Sequence, residues 1–339
     1  MSRVRVGVIG ASGFLGGELV RLLAVHPKVD LVARVSGSTA GRRLSEVRPS
    51  LRGPADGVLE ALDADALATR CDWVFLALPH GTSGEVATAL HARGVGVIDL
   101  GSDLRLRDPA DHERYYKRAP AAPELLDAAF YSLPELTGPI PDGCRLIANP
   151  GCFATALALC LAPVAGHVEG GAITVFGVTG SSGSGVAPSA GVHHSTRVSS
   201  FIAYKPLVHQ HLGELRQLLA TRGAVPTIRF IPHSLPAARG IHLTVSIPRA
   251  ALRADPLTQL TDAYAEAPLV DVVRGPVPMG AVQQSCRALI GVGGDDDTVL
   301  LFCAIDNLLK GGSGQAVQNL NLAEGWDATL GLPTLGAWP

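Results

Sequence analysis

A cysteine follows an Asn-Pro-Gly turn in the stretch IANPGCFATA, residues 147–156. The apolar run after it predicts a buried helix from Phe153 to Ala162, ended by Pro163. At the entrance of a helix, unpaired N–H groups and the positive end of the dipole favour the thiolate, which is the nucleophilic form. Cys152 is therefore a candidate nucleophile, although a free cysteine is also a common core residue.

Two histidines and a carboxylate could serve such a nucleophile. The stretch VHQHLGEL carries His209 and His211 ahead of a predicted helix, and Glu214 follows three residues after His211. This spacing lets a carboxylate approach an imidazole, which is how a general acid/base is oriented. Read as a metal pair, H-x-H lacks an obvious third ligand, and a surface histidine at a helix start is the plain alternative.

A small-residue loop and an arginine could hold an anionic ligand. The sequence TGSSGSG (179–185) follows a β-branched strand, and such residues can expose N–H groups as an anion-binding nest, although a flexible linker has a similar composition. Arg239 and Gly240 precede an alternating strand. An arginine there could hold a carboxylate through two parallel hydrogen bonds.

The elements that must position these residues begin at the first strand, VRVGVI, which runs into a glycine turn and a helix-period apolar pattern. The glycine spacing G-x-x-G-x-x-G allows a tight turn and close approach of a pyrophosphate at a helix N-terminus, and a plain strand–helix turn is the alternative. The pattern predicts dinucleotide contacts from Gly10, Ser12, Gly13, Phe14, Leu15 and Gly16.

The end of the second predicted strand selects the cofactor. An acidic residue there would hold the ribose 2′-hydroxyl of NAD, but ARVSGSTAGRR (33–43) contains none. The hydroxyls of Ser36 and Ser38, with Arg42 or Arg43, suit a 2′-phosphate, although either arginine could be a solvated loop residue. The stretch predicts NADP, with Arg42 as the favoured contact.

Further strand–helix units follow, in VDLVARVS, DWVFLALPHG and VGVIDLGSD. Such alternation predicts an α/β fold with a parallel, doubly wound sheet. Ligands then lie at the carboxyl ends of the strands, where Pro79 and Asp103 stand.

Composition limits the class of protein. The 339 residues suggest two domains, and a net charge of −2 offers no broad basic field for nucleic acid or an anionic membrane. The six cysteines form no C-x-x-C pair, so no metal site is predicted. The chain opens directly into a strand without a signal peptide, and no apolar run approaches bilayer length. We therefore expect a cytoplasmic protein with reduced thiols and no membrane partner.

Seven motifs, taken together and in order, carry a resemblance to a known family. They are GASGFLGGEL, DLGSDLRL, YSLPEL, NPGCFATA, TGSSGSG, VHQHLGEL and AIDNLLKGGSGQAVQNLNL. The chain resembles the N-acetyl-γ-glutamyl-phosphate reductase family of the semialdehyde dehydrogenase group over nearly its whole length. The motifs NPGC and DNLLKG are specific to this family and its nearest relatives, whereas the glycine pattern is not.

The resemblance implies a reaction and roles for its residues. It implies NADPH-dependent reduction of N-acetyl-γ-glutamyl phosphate to N-acetylglutamate 5-semialdehyde and phosphate, through a cysteine thioester, in arginine biosynthesis. Cys152 would be the nucleophile, His211 the acid/base and Glu214 its orienter. Arg105 would bind substrate phosphate, and Asn307 would meet the nicotinamide. The remaining predicted contacts are Asn149, Ser182, His209 and Arg239 for substrate, and Pro79 and Gly183 for cofactor.

The resemblance also implies a Rossmann-type NADP-binding domain over residues 1–149 and an α+β catalytic and dimerisation domain over 150–309. The tail, 310–339, would pack back on the first domain, and the protein would be a dimer or tetramer.

Two departures leave the acyl group open. Many members have Tyr-Pro where this chain has Phe153–Ala154, and His-Arg-His where it has His209, Gln210 and His211. The alternatives are a lysine-pathway reductase of an N-blocked or carrier-bound aminoadipyl phosphate, or an N-succinylglutamyl phosphate reductase. A cysteine acyl-transferase or hydrolase would not need the glycine turn, and a non-catalytic NADP sensor would not need the reactive side chains.

Overall fold

The structure is a computed structural model that describes residues 3–223 and 226–337. The chain forms two compact units. The first contains the described residues up to Pro134, with Gly138–Gly151 and Gly312–Leu332. The second contains Glu135–Thr137, Cys152–Gly311 and the described residues from Pro333 onward. The tail predicted to return to the first domain is thus divided between the units.

The first unit is built on a parallel sheet. Its strands, within the described residues, are β1 Val4–Ile9, β2 Val29–Val35, β3 Trp73–Leu76, β4 Gly96–Asp99, β5 Phe130–Tyr131 and β6 Leu146–Ala148. They pair in parallel in the order β2-β1-β3-β4-β6-β5. Strands β3 and β4 are buried along their whole length, as expected for a sheet covered on both faces. The strand order reverses at β1, and the arrangement confirms the predicted doubly wound α/β fold.

Helices alternate with these strands and continue through the second unit. The α-helices of the described chain are α1 Phe14–Leu23, α2 Leu44–Val47, α3 Ala64–Arg70, α4 Ser83–His91, α5 Pro109–Asp111, α6 Pro123–Ala128, α7 Pro134–Thr137, α8 Cys152–Ala165, α9 His194–Arg197, α10 His211–Ala220, α11 Pro256–Ala263 and α12 Gly314–Ala323. Short π-helical turns cover His112–Tyr116 and Leu309–Ser313. Across the described ranges, no helix combines the length and apolar character needed to cross a membrane.

The helix nearest the end of the chain completes the first unit. Helix α12 packs on α1 and buries Val317 and Leu320. The Asn319 side chain accepts a hydrogen bond from the Ser132 hydroxyl (2.9 Å) and donates one to Oδ1 of Asn149 (3.1 Å). Residues far apart in sequence therefore hold the two ends of this unit together.

The second unit is built on a mixed sheet in the order β11-β12-β13-β10-β7-β9-β8. Its strands are β7 Ala172–Thr179, β8 Ile202–Ala203, β9 Thr227–Ser234, β10 Ile241–Pro248, β11 Val270–Arg274, β12 Ala288–Gly294 and β13 Thr298–Ile305. The pairs β7–β9 and β11–β12 are parallel and the other pairs antiparallel. Helix α8 packs on β10 and β13, and α10 and α11 pack on α8. This confirms the predicted α+β second domain.

The prediction that Pro163 ends the nucleophile's helix is wrong, because α8 continues to Ala165. A proline inside a helix deprives the carbonyl four residues earlier of its donor. That carbonyl belongs to Leu159, and it accepts a hydrogen bond from the buried Tyr264 hydroxyl at 2.6 Å. A side chain from another element thus replaces the missing backbone donor.

Candidate active site

Cys152 is the first residue of α8 and is partly exposed. Two positions near Cys152 have no room for a side chain and are occupied by glycine. A Cβ at Gly311 would lie 2.8 Å from the Cβ of Cys152, and a Cβ at Gly177 would lie 2.9 Å from the ring of Phe153. The buried Phe153 ring occupies the space that Gly177 leaves free, and this packing fixes the start of the helix.

The imidazole of His211 contacts the backbone of Phe153, the residue that follows Cys152. The backbone N–H of Phe153 donates to Nδ1 of His211 (3.2 Å), a contact between residues 58 positions apart. His211 is itself the first residue of α10, which packs on α8. The ring therefore satisfies one of the N–H groups that a helix start leaves without an intrahelical partner. The fold brings the predicted nucleophile and the predicted acid/base into one place.

His209 supports this arrangement from inside a cluster of rings. Its Nδ1 accepts the backbone N–H of His211 (3.2 Å), and its side chain is only 2% exposed. Burial, reinforced by the charge of His211, lowers the pKa of His209 to about 2, so the ring is neutral. This burial favours a supporting role for His209 over direct contact with substrate.

Two members of the ring cluster were not expected from the sequence. Phe153, Tyr204, His211 and Phe230 all contact His209, with ring centroids 4.8–5.6 Å apart. Burial raises the pKa of the Tyr204 phenol, and the charge of Cys152 raises it further. Neither Tyr204 nor Phe230 stands in a recognisable motif, so only the fold could identify them.

Glu214 is fully buried in the first turn of α10. The sequence predicts that it orients the His211 imidazole. Because Nδ1 of that ring accepts from Phe153, a carboxylate could receive a hydrogen bond only from Nε2.

Arg239 is held by a buried carboxylate. Its Nη2 donates to Oδ1 of Asp306 (3.2 Å), and its Nε lies 3.1 Å from Oδ2. Asp306 also accepts the backbone N–H groups of Gln284, Leu308 and Leu309. The arginine keeps 22% of its side chain exposed, so it remains available to a ligand. Asp306 was not predicted, because the sequence gives no sign that it pairs with Arg239.

Asn307 connects two segments of the second unit. Its Oδ1 accepts the backbone N–H of Gly240 (2.7 Å), and its Nδ2 donates to the Ser182 hydroxyl (3.0 Å). The predicted ligand residues Ser182, Arg239 and Asn307 thus form one neighbourhood.

The expectation of an anion-binding nest in the 179–185 loop is wrong. The N–H groups of Gly180, Ser181 and Ser182 donate to carbonyls of residues 237–240, and that of Gly183 donates to Gly180. These donors are already used by the protein backbone. Any hydrogen bond that residues 180–183 donate to a ligand must therefore come from a side chain, such as the Ser182 hydroxyl.

The glycine turn of the first unit fits a diphosphate. A Cβ at Gly10 would lie 2.2 Å from the carbonyl oxygen of Ala77, and one at Gly16 would lie 2.0 Å from that of Gly10. At Gly13 the nearest atom would be 3.3 Å away. Helix α1 has neither a side-chain cap at Gly13 nor an acidic residue in its first turn. Its N-terminus therefore suits an external anion.

Of the two hydroxyls predicted for the ribose phosphate, that of Ser36 lies in a cluster of hydroxyls at the ends of β1 and β2. The Ser36 hydroxyl shares a hydrogen bond of 2.8 Å with Ser12 and one of 2.7 Å with Thr39, which was not predicted. Ser38 and Arg42 are exposed nearby in sequence. With the free helix start, this cluster fits a nicotinamide dinucleotide, which would supply hydride when bound.

Phe14, Leu15 and Pro79, also predicted to contact the cofactor, have different surroundings. Phe14 is exposed at the start of α1, and the Leu15 carbonyl accepts the Ser313 hydroxyl (2.8 Å). Pro79 is exposed in a loop whose N–H groups at Gly81, Ser83 and Gly84 are held by the Asp103 carboxylate. The N-terminus of α4 therefore has an internal anion, unlike that of α1.

Arg105 and Asn149, both predicted for substrate, are held within the first unit. Arg105 is 3% exposed and donates to the carbonyls of Asn149 (2.9 Å) and Leu100 (2.8 Å). The Asn149 amide donates to the Gly312 carbonyl (3.3 Å) and accepts from Asn319. These contacts give both residues a supporting function, and their contact with substrate stays a prediction. Among the described residues, no group of three or more His, Cys, Asp or Glu side chains could hold a metal ion.

The chain matches two family models along most of its length. Residues 5–139 match the NAD binding domain of semialdehyde dehydrogenase, and residues 152–307 match the semialdehyde dehydrogenase dimerisation domain.

Curated relatives extend this match over the full chain. The protein is 40% identical to N-acetyl-gamma-glutamyl-phosphate reductase from Desulforudis audaxviator, and 39% identical to the protein of that name from Alkalilimnicola ehrlichii. Each alignment covers 99% of this chain and 100% of the relative.

Solved structures share the fold. A probable aspartate-semialdehyde dehydrogenase from Pseudomonas aeruginosa aligns with a TM-score of 0.70 at 18% identity, covering 96% of this chain and 99% of that one. Aspartate semialdehyde dehydrogenase with NADP from Candida albicans aligns with a TM-score of 0.64 at 16% identity, covering 95% and 99%.

Proposed function

The chain belongs to the N-acetyl-gamma-glutamyl-phosphate reductases of the semialdehyde dehydrogenase family, and on this premise we propose that it makes N-acetylglutamate 5-semialdehyde from N-acetyl-γ-glutamyl phosphate. The observation that carries the proposal is the partly exposed Cys152 at a helix start, with the His211 imidazole bonded to the next backbone N–H. A nucleophile in that setting suits an acyl phosphate, which is already activated for attack.

Cys152 performs the covalent step. Its thiolate attacks the acyl carbon, phosphate leaves with the electron pair of the broken C–O bond, and a thioester forms. A bound NADPH supplies the hydride that reduces this thioester. Cys152 then departs as thiolate when the aldehyde carbonyl re-forms, and His211 is the proposed acid/base for the protons at Cys152 and at the substrate oxygen.

NADPH is the proposed cofactor because hydroxyls, and no acidic residue, stand at the end of β2. A 2′-phosphate is recognised by such donors with a nearby arginine, whereas NAD needs a carboxylate there. We assign cofactor binding to the first unit, which includes Gly312–Leu332 of the tail, and substrate chemistry to the second unit.

Arg239 is the proposed contact for the substrate's α-carboxylate. Its pairing with Asp306 restrains the guanidinium, and a restrained fork loses less entropy when it binds a carboxylate. Arg105 is the proposed phosphate contact, by analogy with the family. Aminoadipyl phosphate and N-succinylglutamyl phosphate contain the same acyl-phosphate group. These two compounds are therefore the alternative substrates.

A second copy of this chain is the proposed partner. The dimerisation-domain match covers the second unit, which exposes large apolar side chains that a monomer would rarely leave in water. These residues are Phe176, Phe201, Ile202, Leu207 and Val208. We propose that they lie in the dimer contact.

The test is NADP⁺ reduction in the aldehyde-plus-phosphate direction. N-acetylglutamate semialdehyde should give the highest kcat/KM when compared with its aminoadipate and N-succinyl analogues. Cys152→Ala should abolish turnover while NADPH binding is unchanged, and Cys144→Ala, which removes another partly exposed thiol, should be active. Turnover of Cys152→Ala within about tenfold of the unmodified enzyme would exclude the covalent step.

A further inference from the structure

The short helix α9 turns one charged side chain towards the interior of the second unit. Arg197, its last residue, is only 7% exposed, whereas the three residues before it and the apolar Val198 after it are exposed. Arginine is seldom buried to this degree unless a carboxylate pairs with it. A buried guanidinium beside an exposed valine reverses the ordinary pattern of burial, so apolar packing does not explain the position of Arg197.

The described residues supply little for this guanidinium to bind. Its Nη2 donates to the backbone carbonyl of Leu235, and its buried Nε has no hydrogen-bond partner among them. No carboxylate of the described chain forms an ion pair with Arg197. An arginine side chain does not lose its proton in a protein, so the charge stays. A buried charge of this kind is costly unless an anion accompanies it.

Two other arginines show how the chain satisfies a guanidinium by itself. In the first unit, Arg34 donates to three backbone carbonyls at 2.8–3.3 Å. In the second unit, the carboxylate of Asp306 lies 3.1 Å from the Nε of Arg239. Arg197 has neither arrangement. Its single carbonyl contact therefore does not account for a buried, charged group with several donors.

Arg197 contacts the edge of the second sheet that holds the predicted ligand residues. Leu235, whose carbonyl it binds, directly follows β9, and the N–H of Leu235 donates to the carbonyl of Thr179 at the end of β7 (3.1 Å). Strands β7 and β9 are parallel, so their carboxyl ends lie at the same edge. The loop that continues from Thr179 carries Ser182, whose hydroxyl accepts from Asn307. The guanidinium therefore lies at the edge where a ligand is expected.

Tyr204 relates Arg197 to the nucleophile. The Tyr204 ring packs edge-on against His209, with centroids 5.6 Å apart. Burial raises the pKa of its phenol, the charge of Cys152 raises it further, and the charge of Arg197 lowers it. Both charges act on one phenol, because the thiolate opposes its ionisation and the guanidinium favours it. Cys152 and Arg197 are therefore both within electrostatic reach of the Tyr204 hydroxyl.

We propose that Arg197 binds an oxyanion of the substrate, with its buried Nε as one of the donors. The inference deepens the proposed function and rests on it. The group recognised has negatively charged oxygens on one central atom, which a planar guanidinium holds through two parallel hydrogen bonds. The proposed reaction offers two such groups, the phosphate and the α-carboxylate of the aldehyde. Kinetics with each substrate varied in turn separates these two sources.

The kinetic test compares the unmodified enzyme with Arg197→Met, which keeps the length of the side chain and removes its charge. The variant should raise the KM for phosphate or for N-acetylglutamate semialdehyde at least about tenfold, and the substrate affected identifies the oxyanion. Arg197→Lys should recover part of the affinity, because lysine keeps the charge without the planar fork. Unchanged KM values for both substrates in Arg197→Met would overturn the proposal.

The matched control is Arg222→Met. Arg222 also donates to one backbone carbonyl, that of Leu136 (2.7 Å), but it is exposed at the end of α10. Its replacement should leave both KM values unchanged. An equal increase in KM from Arg222→Met and Arg197→Met would show that any lost arginine has this effect, and would overturn the assignment.

Thermal melting separates ligand binding from a purely structural role. Removal of an uncompensated buried charge relieves a cost, so Arg197→Met should melt no lower than the unmodified protein. Inorganic phosphate or N-acetylglutamate should raise the melting temperature of the unmodified protein and of Arg222→Met, but not that of Arg197→Met. A lower melting temperature in Arg197→Met with an unchanged response to both anions would show that the arginine is only structural.

A direct readout on the guanidinium distinguishes failure of this proposal from failure of the proposed function. In protein labelled with ¹⁵N-arginine, the Nε signal of Arg197 should shift on titration with inorganic phosphate or N-acetylglutamate, and Arg197→Lys assigns that signal by its absence. If no semialdehyde is oxidised but the signal shifts, the proposed function fails and the anion contact stands. A signal that responds to neither anion would overturn the proposal. If Arg197→Met does not fold, this titration of the unmodified protein decides.

Discussion

Arg42 and Arg43 are adjacent in sequence but differ in their ion pairs. Arg43 has a carboxylate of Asp56 at 2.7 Å, whereas the Nε of Arg42 is 3.8 Å from exposed Glu46. Arg42→Ala should therefore reduce the preference for NADPH over NADH about tenfold, and Arg43→Ala should leave it unchanged. Cofactor titration by fluorescence measures both. A loss of preference in Arg43→Ala alone would reverse the assignment.

Arg239 and Arg105 should differ in the substrate they affect. Arg239→Leu should raise the KM for the aldehyde at least about tenfold and leave the KM for phosphate unchanged. Arg239→Lys should recover only part of the affinity for the aldehyde, because lysine lacks the planar guanidinium group.

Arg105→Leu should raise the KM for phosphate and lower the melting temperature, because two carbonyls lose their donor. Steady-state kinetics with each substrate varied in turn measures this. The same kinetic pattern from both leucine variants would show that the assignment of substrate ends is wrong.

At this scale the sequence identifies reactive side chains better than their partners. Cys152 and His211 stand in motifs, and their types alone suggest their chemistry. The pairing of Arg239 with Asp306 spans 67 positions, and the contact of Phe153 with His211 spans 58. Such contacts depend on strand order and helix packing, which local patterns do not contain.

Among the secondary-structure elements, α8 depends on a donor from outside itself. Tyr264→Phe should lower the free energy of unfolding by about 1–3 kcal/mol, because the Leu159 carbonyl would be buried without a partner. Pro163→Ala restores a backbone donor to that carbonyl. In the Pro163→Ala background, Tyr264→Phe should therefore cost less, which urea unfolding of the four proteins measures. Equal costs in both backgrounds would show that the hydroxyl does not replace the missing helix bond.

Substitution of two glycines of the first turn should have different effects, one on the stability of the fold and the other on cofactor binding. Gly16→Ala should destabilise the protein, because its Cβ would overlap the Gly10 carbonyl. Gly13→Ala should fold with a nearly unchanged melting temperature but bind NADPH at least about tenfold more weakly, because the methyl group stands where the diphosphate must approach. Thermal melting with cofactor titration distinguishes the two. Unchanged NADPH affinity in a folded Gly13→Ala protein would place the diphosphate elsewhere.

Secondary-structure elements could be predicted where a single local sequence pattern determines them. Continuous apolar runs predict the buried strands of the first sheet, and the glycine spacing predicts the first turn. The end of α8 was not predictable, because Tyr264 lies 105 residues from the carbonyl it serves. The closed N–H groups of the 179–185 loop were missed for the same reason, since their acceptors lie near Arg239.

For the whole molecule, the first unit should require the end of the chain. A chain that stops after Gly311 lacks α12 and should fail to bind NADPH, although it keeps the glycine turn and the β2 hydroxyls. A chain that stops after Leu332 should bind NADPH normally, because it retains Gly312–Leu332. Fluorescence titration of both chains checks this. Normal binding by the shorter chain would show that α12 is dispensable.

The fold class and the family were predictable at this scale, because many independent motifs agree in order. The division of the C-terminal segment was not. Its described residues from Pro333 belong to the second unit, where the Pro333 carbonyl accepts the N–H of Cys286 (2.8 Å) and the N–H of Ala337 donates to the Gln283 carbonyl (2.9 Å). Two backbone contacts of this kind leave no pattern in the sequence.

The return of α12 to the first unit has a consequence for biosynthesis. A ribosome adds about 5–20 residues per second, so roughly ten to forty seconds separate the emergence of Gly151 from that of Leu332. During that interval the apolar surface of α1 that α12 will cover faces the solvent of the nascent chain. The cofactor-binding half, although most of it is synthesised first, is therefore completed only when Leu332 has emerged, and a stalled or truncated translation product would expose an apolar surface to chaperones and proteases.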